Sequence, residues 1–213
     1  VAALVALTLL EVLRHQDRPS EVLESEDPSV TLPRRLGLSE VVDQQIRRYR
    51  EEARRGGRIS DDEVKDLVRL FIRRPDAEEL FFRVGRHLAG EKDRSRWQKA
   101  LPNPVSYALA RRAVSKRLRR LFGRRVGGFS AGLFTLEGRA LVFIQCDQGG
   151  DACNILSGFC QAMLDRHVGA GARVVHSLCE SRRDPLCRWT VMAEERVREP
   201  ERVSDLLLTP EPG

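Results

Sequence analysis

No apolar run in this chain of 213 residues approaches the roughly 20 residues that a bilayer-spanning helix requires. The longest opens the chain, VAALVALTLLEVLRH, with no basic residue ahead of it, so it reads neither as a membrane span nor as a complete signal peptide. It is expected to form an amphipathic or buried helix over residues 1–15; because residue 1 is Val, the true start is left open. Cysteine is sparse too. Five is an odd number, and too few for the dense disulfide framework of a secreted protein this long, so the cytoplasm is the expected compartment. There is no CxxC pair, no glycine-rich phosphate loop, no internal repeat and no low-complexity tract. Nucleotide-dependent chemistry and repeat architectures thereby lose their usual sequence support.

What is present is a heavily charged globular chain, 41% hydrophobic and 32% charged. Its 37 basic and 31 acidic residues leave a net charge of +6, a weak preference for anionic partners because the two signs are interspersed. Pro19, Pro28, Pro33 and Gly37 mark residues 16–38 as a linker. Ser39 is a candidate N-cap for a helix reaching Arg55, with Val42, Ile46 and Tyr49 on one face. Ser60 and Glu63 form a capping-box pattern, and Asp76 with Glu79 repeats it. The two helices that follow carry Val64, Leu67, Val68, Phe71 and Ile72, then Leu80, Phe81, Val84 and Leu88. A polar loop is expected over 92–103.

From Pro104 a long helix is expected to run to Phe122, with Val105, Ala108, Leu109, Val114, Leu118 and Leu121 on its apolar face. Its other face is basic and uninterrupted by acids: Arg111, Arg112, Lys116, Arg117, Arg119 and Arg120, then Arg124 and Arg125 beyond it. Such a run suits nucleic acid, anionic lipid or an acidic protein surface, yet no aromatic interleaves it and no helix-turn-helix adjoins it. A solvated face is the favoured reading. Strands then take over. Residues 126–136 and 139–146 read as a hairpin turning at Glu137-Gly138, and 172–179 with 186–192 as a second. Between them lies a helix over 152–167 that Asp151 is placed to cap. The order gives an α+β protein, helices packed on an antiparallel sheet made of two hairpins.

Three cysteines gather in the last third. Cys153 sits in the first turn of its helix, where the helix dipole favours thiolate. Cys179 and Cys187 flank the turn of the second hairpin, and His176 lies three residues before Cys179. Three sulfurs and an imidazole suit a closed tetrahedral zinc site. Residues three apart on a regular strand face opposite ways, so His176 and Cys179 can share a metal only if the strand bends or ends between them. Cys160 competes as the fourth ligand, and small buried cysteines also pack simply as hydrophobes.

With Gly158-Phe159, His176-Ser-Leu-Cys179 and Asp184-Pro-Leu-Cys187-Arg-Trp189 added, the pattern resembles the 4-vinyl-reductase domain family. That family includes sensor domains of phenol-responsive transcription activators and a bacteriochlorophyll-biosynthesis protein, with relatives sharing the fold of transport-protein-particle subunits. The resemblance, clearest over residues 126–192, implies a ligand-binding fold like that of nitric-oxide-signalling and transport-particle proteins. It also implies a structural zinc, a small apolar or aromatic ligand and a homodimer. It sets residues 1–58 apart as a helical extension with linker, 59–193 as the ligand-binding domain and 194–213 as a charged tail. Cys153, Cys179 and Cys187 match the family's three sulfur positions; His176 stands where the family has Glu, and imidazole ligates zinc equally well.

The ligand pocket implied by the resemblance would be lined by Phe81, Val84, Phe129, Leu133, Phe143, Phe159 and Trp189, all of which any core also needs. His87 is a candidate polar clamp. Gly128-Phe-Ser130-Ala-Gly132 matches the GxSxG nucleophile elbow literally, but that motif requires a strand-to-helix turn, and here a hairpin is expected. No catalytic residue is assigned. The reading is a zinc-stabilised, non-catalytic sensing or binding domain, with an interaction scaffold of the transport-particle type, or an accessory protein in tetrapyrrole vinyl reduction, as rivals.

Overall fold

The computed structural model describes residues 1–17, 39–90, 101–123, 126–169 and 171–193. Nearly all of the expected linker at 16–38, most of the polar loop at 92–103, Arg124, Arg125 and the charged tail from 194 lie outside the described residues. These contain six α-helices: α1 (Ala3–Gln16), α2 (Glu40–Arg54), α3 (Asp61–Ile72), α4 (Ala77–Ala89), α5 (Asn103–Phe122) and α6 (Asn154–His167). Four strands, β1 (Gly128–Phe129), β2 (Thr135–Gly138), β3 (Ala172–Leu178) and β4 (Cys187–Ala193), form one antiparallel sheet in the order β1-β2-β4-β3. The α+β class and the second hairpin agree with the sequence; the first hairpin forms from other residues than expected.

Side-chain caps set where two of the helices begin. Ser39 Oγ accepts from the Val42 N–H at 3.2 Å. Ser60 and Glu63 complete the reciprocal capping box, at 3.1 Å and 3.2 Å. Such caps contribute about 1 kcal/mol each. The expected repeat at Asp76 fails, because its backbone (φ −99°, ψ 15°) is not the extended conformation a capping side chain needs. The carboxylate instead takes Arg74 Nε at 2.8 Å, and the same guanidinium holds the buried Asp17 at 2.8 Å, tying the end of α1 to the start of α4.

α1 buries nine of its 14 residues and lies against α2 and α4. α6 has α4 and α5 packed against it and β3 also in contact. Its buried set, Ile155 to Cys160 with Met163 and Leu164, surrounds most of the helix, as a helix enclosed by other elements requires. Gly85 of α4 and Gly158 of α6 let the two backbones touch: a Cβ on Gly158 would lie inside the Phe82 carbonyl, and one on Gly85 inside that of Ile155.

Two expectations are corrected. Residues 139–146 form no strand. Glu137 and Gly138 belong to β2, pairing with Arg188 and Cys187, and β1 meets β2 through a loop at 130–134. The chain turns at Ala140 (φ 50°), whose N–H donates to Glu180 Oε2 at 2.9 Å, and then forms a 3-10 turn over Ile144–Cys146. Leu141, Val142 and Phe143 are buried, and so short an apolar run has no period to tell strand from turn. The apolar face of α5 is also rotated. Ser106, Ala110, Val114, Leu118, Leu121 and Phe122 face inward, while Val105 is 44% exposed. The spacing of four from Ser106 to Leu118 fixes the phase and turns Val105 and Ala108 outward.

Candidate metal centre

The sheet register puts Leu136, Trp189 and His176 in one row across β2, β4 and β3. The pairing of β3 with β4 then slips between His176 and Leu178, and β3 ends before Cys179. That irregularity is the bend the sequence demanded. It returns Cys179 to the side of His176, and Cys187 opens β4 beside them. Cys153 arrives from the 3-10 turn Asp151–Cys153 that leads into α6.

The ligating atoms of Cys153, His176, Cys179 and Cys187 all lie within 4.8 Å of one another. Cys153 Sγ is 4.0 Å from Cys179 Sγ and 3.9 Å from Cys187 Sγ. The three cysteines are buried and His176 half-buried, and none of the three is in a disulfide. The His176 ring stacks on Trp189 at 4.7 Å with 6° between planes, and the buried Trp189 Nε1 donates to Ser157 Oγ at 3.1 Å. The imidazole is thus held in place, yet its buried Nε2 has no hydrogen-bond partner. An orphaned buried nitrogen on a ring grouped with three sulfurs is what a cation would satisfy. The group can hold a metal ion. Cys160, seven residues along α6 and about 10 Å of helix away from Cys153, is buried but outside the cluster.

The sulfurs act strongly on one another. Cys187 is pulled down to about 5, first by the hydrogen bond from Cys153 and, against its burial, by His176 and the Glu180 N–H. That N–H lies 3.3 Å from the sulfur. Cys153 is driven far above its usual range by that same hydrogen bond, by burial, and by the charges of Cys187 and Cys179.

Several supporting residues escape a sequence reading. Asp147, 1% exposed, accepts from Gly149 N at 3.1 Å, Gly150 N at 3.0 Å and Ala152 N at 2.6 Å, so it shapes the approach to Cys153 that Asp151 was expected to cap. The Asp-x-Gly-Gly pattern is a turn signal and could have pointed to it. Gly150 adopts φ +85°, and a Cβ there would meet Cys179 Sγ at 2.7 Å, so a side chain would crowd the sulfur. Asp184 Oδ2 accepts from Cys179 N at 2.7 Å. Ser106, fully buried on α5 with no partner for its hydroxyl, carries no sequence signal at all.

Of the residues read as a pocket wall, Phe81, Val84, Phe143, Phe159 and Trp189 belong to one buried core, Phe129 packs against it and Leu133 stands outside it. Phe81, Val84, Phe159 and Trp189 are fully buried; Phe81 meets Phe71 edge-on at 6.4 Å. Phe143 packs edge-on against Phe122 at 6.4 Å, and Phe129 lies against Phe134 under the Arg111 guanidinium. Leu133 is 59% exposed. A cavity of about 420 Å³ opens beside β1, lined by Gly127, Gly128, Phe129, Ser130, Glu137 and Leu186 among others. Another, about 520 Å³, lies between α1 and α4, lined by Thr8, Glu11, Val12, His15, Arg83 and His87 among others. Of the seven wall residues, only Phe129 reaches either. Ser130 donates its N–H to Thr135 O inside the first hairpin, so the GxSxG match is not at a strand-to-helix turn. Among the described residues no helix is long and apolar enough to cross a membrane.

Compared with family models, with curated proteins and with solved structures, the chain matches none.

Proposed function

We propose that this chain is a zinc-stabilised domain that binds or senses a small apolar or aromatic molecule, without catalysis of its own, as a cytoplasmic homodimer of the 4-vinyl-reductase type. The observation that carries the reading is the convergence of Cys153, His176, Cys179 and Cys187 from three separate segments. A tetrahedron with metal–sulfur bonds of about 2.3 Å has sulfur–sulfur edges of about 3.8 Å, close to the 3.9 Å and 4.0 Å separations. Three soft sulfurs with one imidazole favour zinc over the oxygen-seeking cations. With all four positions taken by protein, zinc bound there would supply cross-linking and charge neutralisation rather than an open site for substrate.

The chain's own residues do the rest. Asp147 and Gly150 present Cys153, the break after His176 presents Cys179, and Trp189 fixes the imidazole. Such a clamp joins the β3–β4 hairpin to the start of α6, the helix on which α4 and α5 pack. Ligand binding would act by favouring one packing of those helices over another. The orphaned hydroxyl of Ser106, on the inward face of α5, supports a polar contact for such a ligand. The fully buried Phe81, Val84, Phe159 and Trp189 instead favour a filled interior, and with it the interaction-scaffold reading.

Two measurements decide. Protein purified without added zinc is expected to contain about one zinc per chain by elemental analysis; metal-free, fully folded protein would defeat the proposal. A native mass spectrum is expected to show a dimer carrying a co-purified small apolar molecule. A dimer of bare chains, with none taken up from a panel of phenols and alkanes, would leave the scaffold.

A further inference from the structure

α5 presents a second surface that owes nothing to the metal. The helix contains no acidic residue over its 20 positions. Two of its cations are used internally: Arg117 donates to Leu88 O at 2.6 Å, and Arg111 donates to Gly132 O at 3.2 Å while lying over Phe129. Arg112, Lys116, Arg119 and Arg120 are exposed instead, and among the described residues none of the four side chains has a hydrogen-bond or ion-pair partner. They recur at intervals of four, three and one, which keeps them on one outward stripe about 12 Å long. Arg58, from the loop before α3, donates to Arg120 O at 3.4 Å and brings a fifth exposed cation to the end of the stripe. Several exposed cations elsewhere are matched by acids, as in Arg48–Glu63, Arg50–Glu11, Arg55–Glu51, Arg69–Asp66 and Arg83–Glu79.

We propose that this stripe docks the phosphate backbone of a nucleic-acid duplex, without reading its sequence. A row one helix wide and 12 Å long gains most from a polyanion of high linear charge density, and duplex DNA carries one charge per about 1.7 Å of its axis, about seven over that length. Arg makes up three of the four free cations, and guanidinium meets phosphate through two parallel hydrogen bonds. A lipid surface fits less well: Val105 is the only exposed large apolar side chain on α5 and stands at its far end, so nothing beside the cations inserts into a bilayer. An acidic peptide fits less well for the same reason, having no apolar anchor next to the charges. The absence of exposed aromatics along the basic half excludes base stacking and leaves backbone contact alone.

The test is fluorescence anisotropy of the full chain with a labelled 20-base-pair duplex, in two unrelated sequences, over a salt series. Binding is expected to be equal for both sequences, with a log–log salt slope of about −3.6 for four phosphates. A variant carrying R112Q, K116Q, R119Q and R120Q should bind at least tenfold more weakly, with a nearly flat slope and unchanged helical content. R69Q should behave as wild type. Should the quadruple variant fold poorly, R119Q alone should shallow the slope by about one. No binding at low salt, or a quadruple variant that binds like wild type, overturns the proposal. So does tighter binding to phosphatidylserine vesicles at matched charge, or displacement of the duplex by an equal charge of polyglutamate.

Discussion

The metal corner and the aromatic set meant to line a pocket were both read from side-chain chemistry, and the fold treats them differently. The ligating atoms of the four cysteine and histidine residues, drawn from residues 153 to 187, close to within 4.8 Å. The seven apolar residues, drawn from 81 to 189, range from full burial at Phe81 to 59% exposure at Leu133. Ligation is directional and saturable, so a ligand set names its own members. Burial is neither, and Phe143 is as content against Phe122 as against a bound molecule. The sharpest way to break this contrast is Cys187→Ser. It is expected to abolish metal binding and cause the largest stability loss of any single change here, because structural zinc commonly contributes on the order of 10 kcal/mol to a small folded unit. Cys160→Ala, another buried sulfur, should keep the full metal content and cost about 1 to 2 kcal/mol. Metal analysis with thermal unfolding, with and without chelator, reads both. Equal metal loss in the two variants would dissolve the distinction between ligand and packing cysteine.

Asp147→Ala tests the corner one layer out. The carboxylate is almost wholly buried and accepts three backbone N–H groups around the turn that delivers Cys153. Removing it leaves three donors without partners, each worth about 1 kcal/mol or more, so a loss of about 3 kcal/mol in urea unfolding is expected. Zinc affinity should fall with it, by the 10- to 100-fold typical of groups that orient a ligand. A loss of stability with zinc affinity unchanged would make Asp147 a loop support and nothing more.

These two residues also show where a sequence can be read and where it cannot. Ser39, Ser60 and Glu63 are legible because a cap acts over three residues, within one window of sequence. The cysteines are legible because their chemistry is rare. Even the break after His176 follows from requiring that His176 and Cys179 face one metal, before any coordinate is known. Residues 139–146 are not legible: Leu141, Val142 and Phe143 form a run too short to show a period, and its path depends on Ala140 meeting Glu180 forty residues later. The phase of α5 is hidden for a related reason. Ser106 and Ala110 look no more like core than Val105 and Ala108, and only the packing on α6 chooses between them. Asp76 completes the lesson, since its capping pattern is sound locally and is overridden by Arg74, which Asp17 also needs.

The smallest expected effect belongs to Leu133→Ser, and a null result there is informative. Leu133 lies in the loop between β1 and β2 and is 59% exposed, while its neighbours Gly132 and Phe134 accept hydrogen bonds from Arg111 and the Val191 N–H. An exposed loop leucine buries little apolar area, so its loss should change urea stability by no more than about 0.5 kcal/mol and leave any co-purified molecule in the native mass spectrum. Wall residues behave otherwise: a leucine that packs against a bound molecule loses contacts in the complex but not in the free chain. A variant with unchanged stability and a vanished ligand would therefore place Leu133 over the bound molecule, with the 130–134 loop closing on it. The aromatic set would then be gathered by the ligand rather than by the fold, and the contrast with the cysteine corner would become one between sites made before binding and sites made by it.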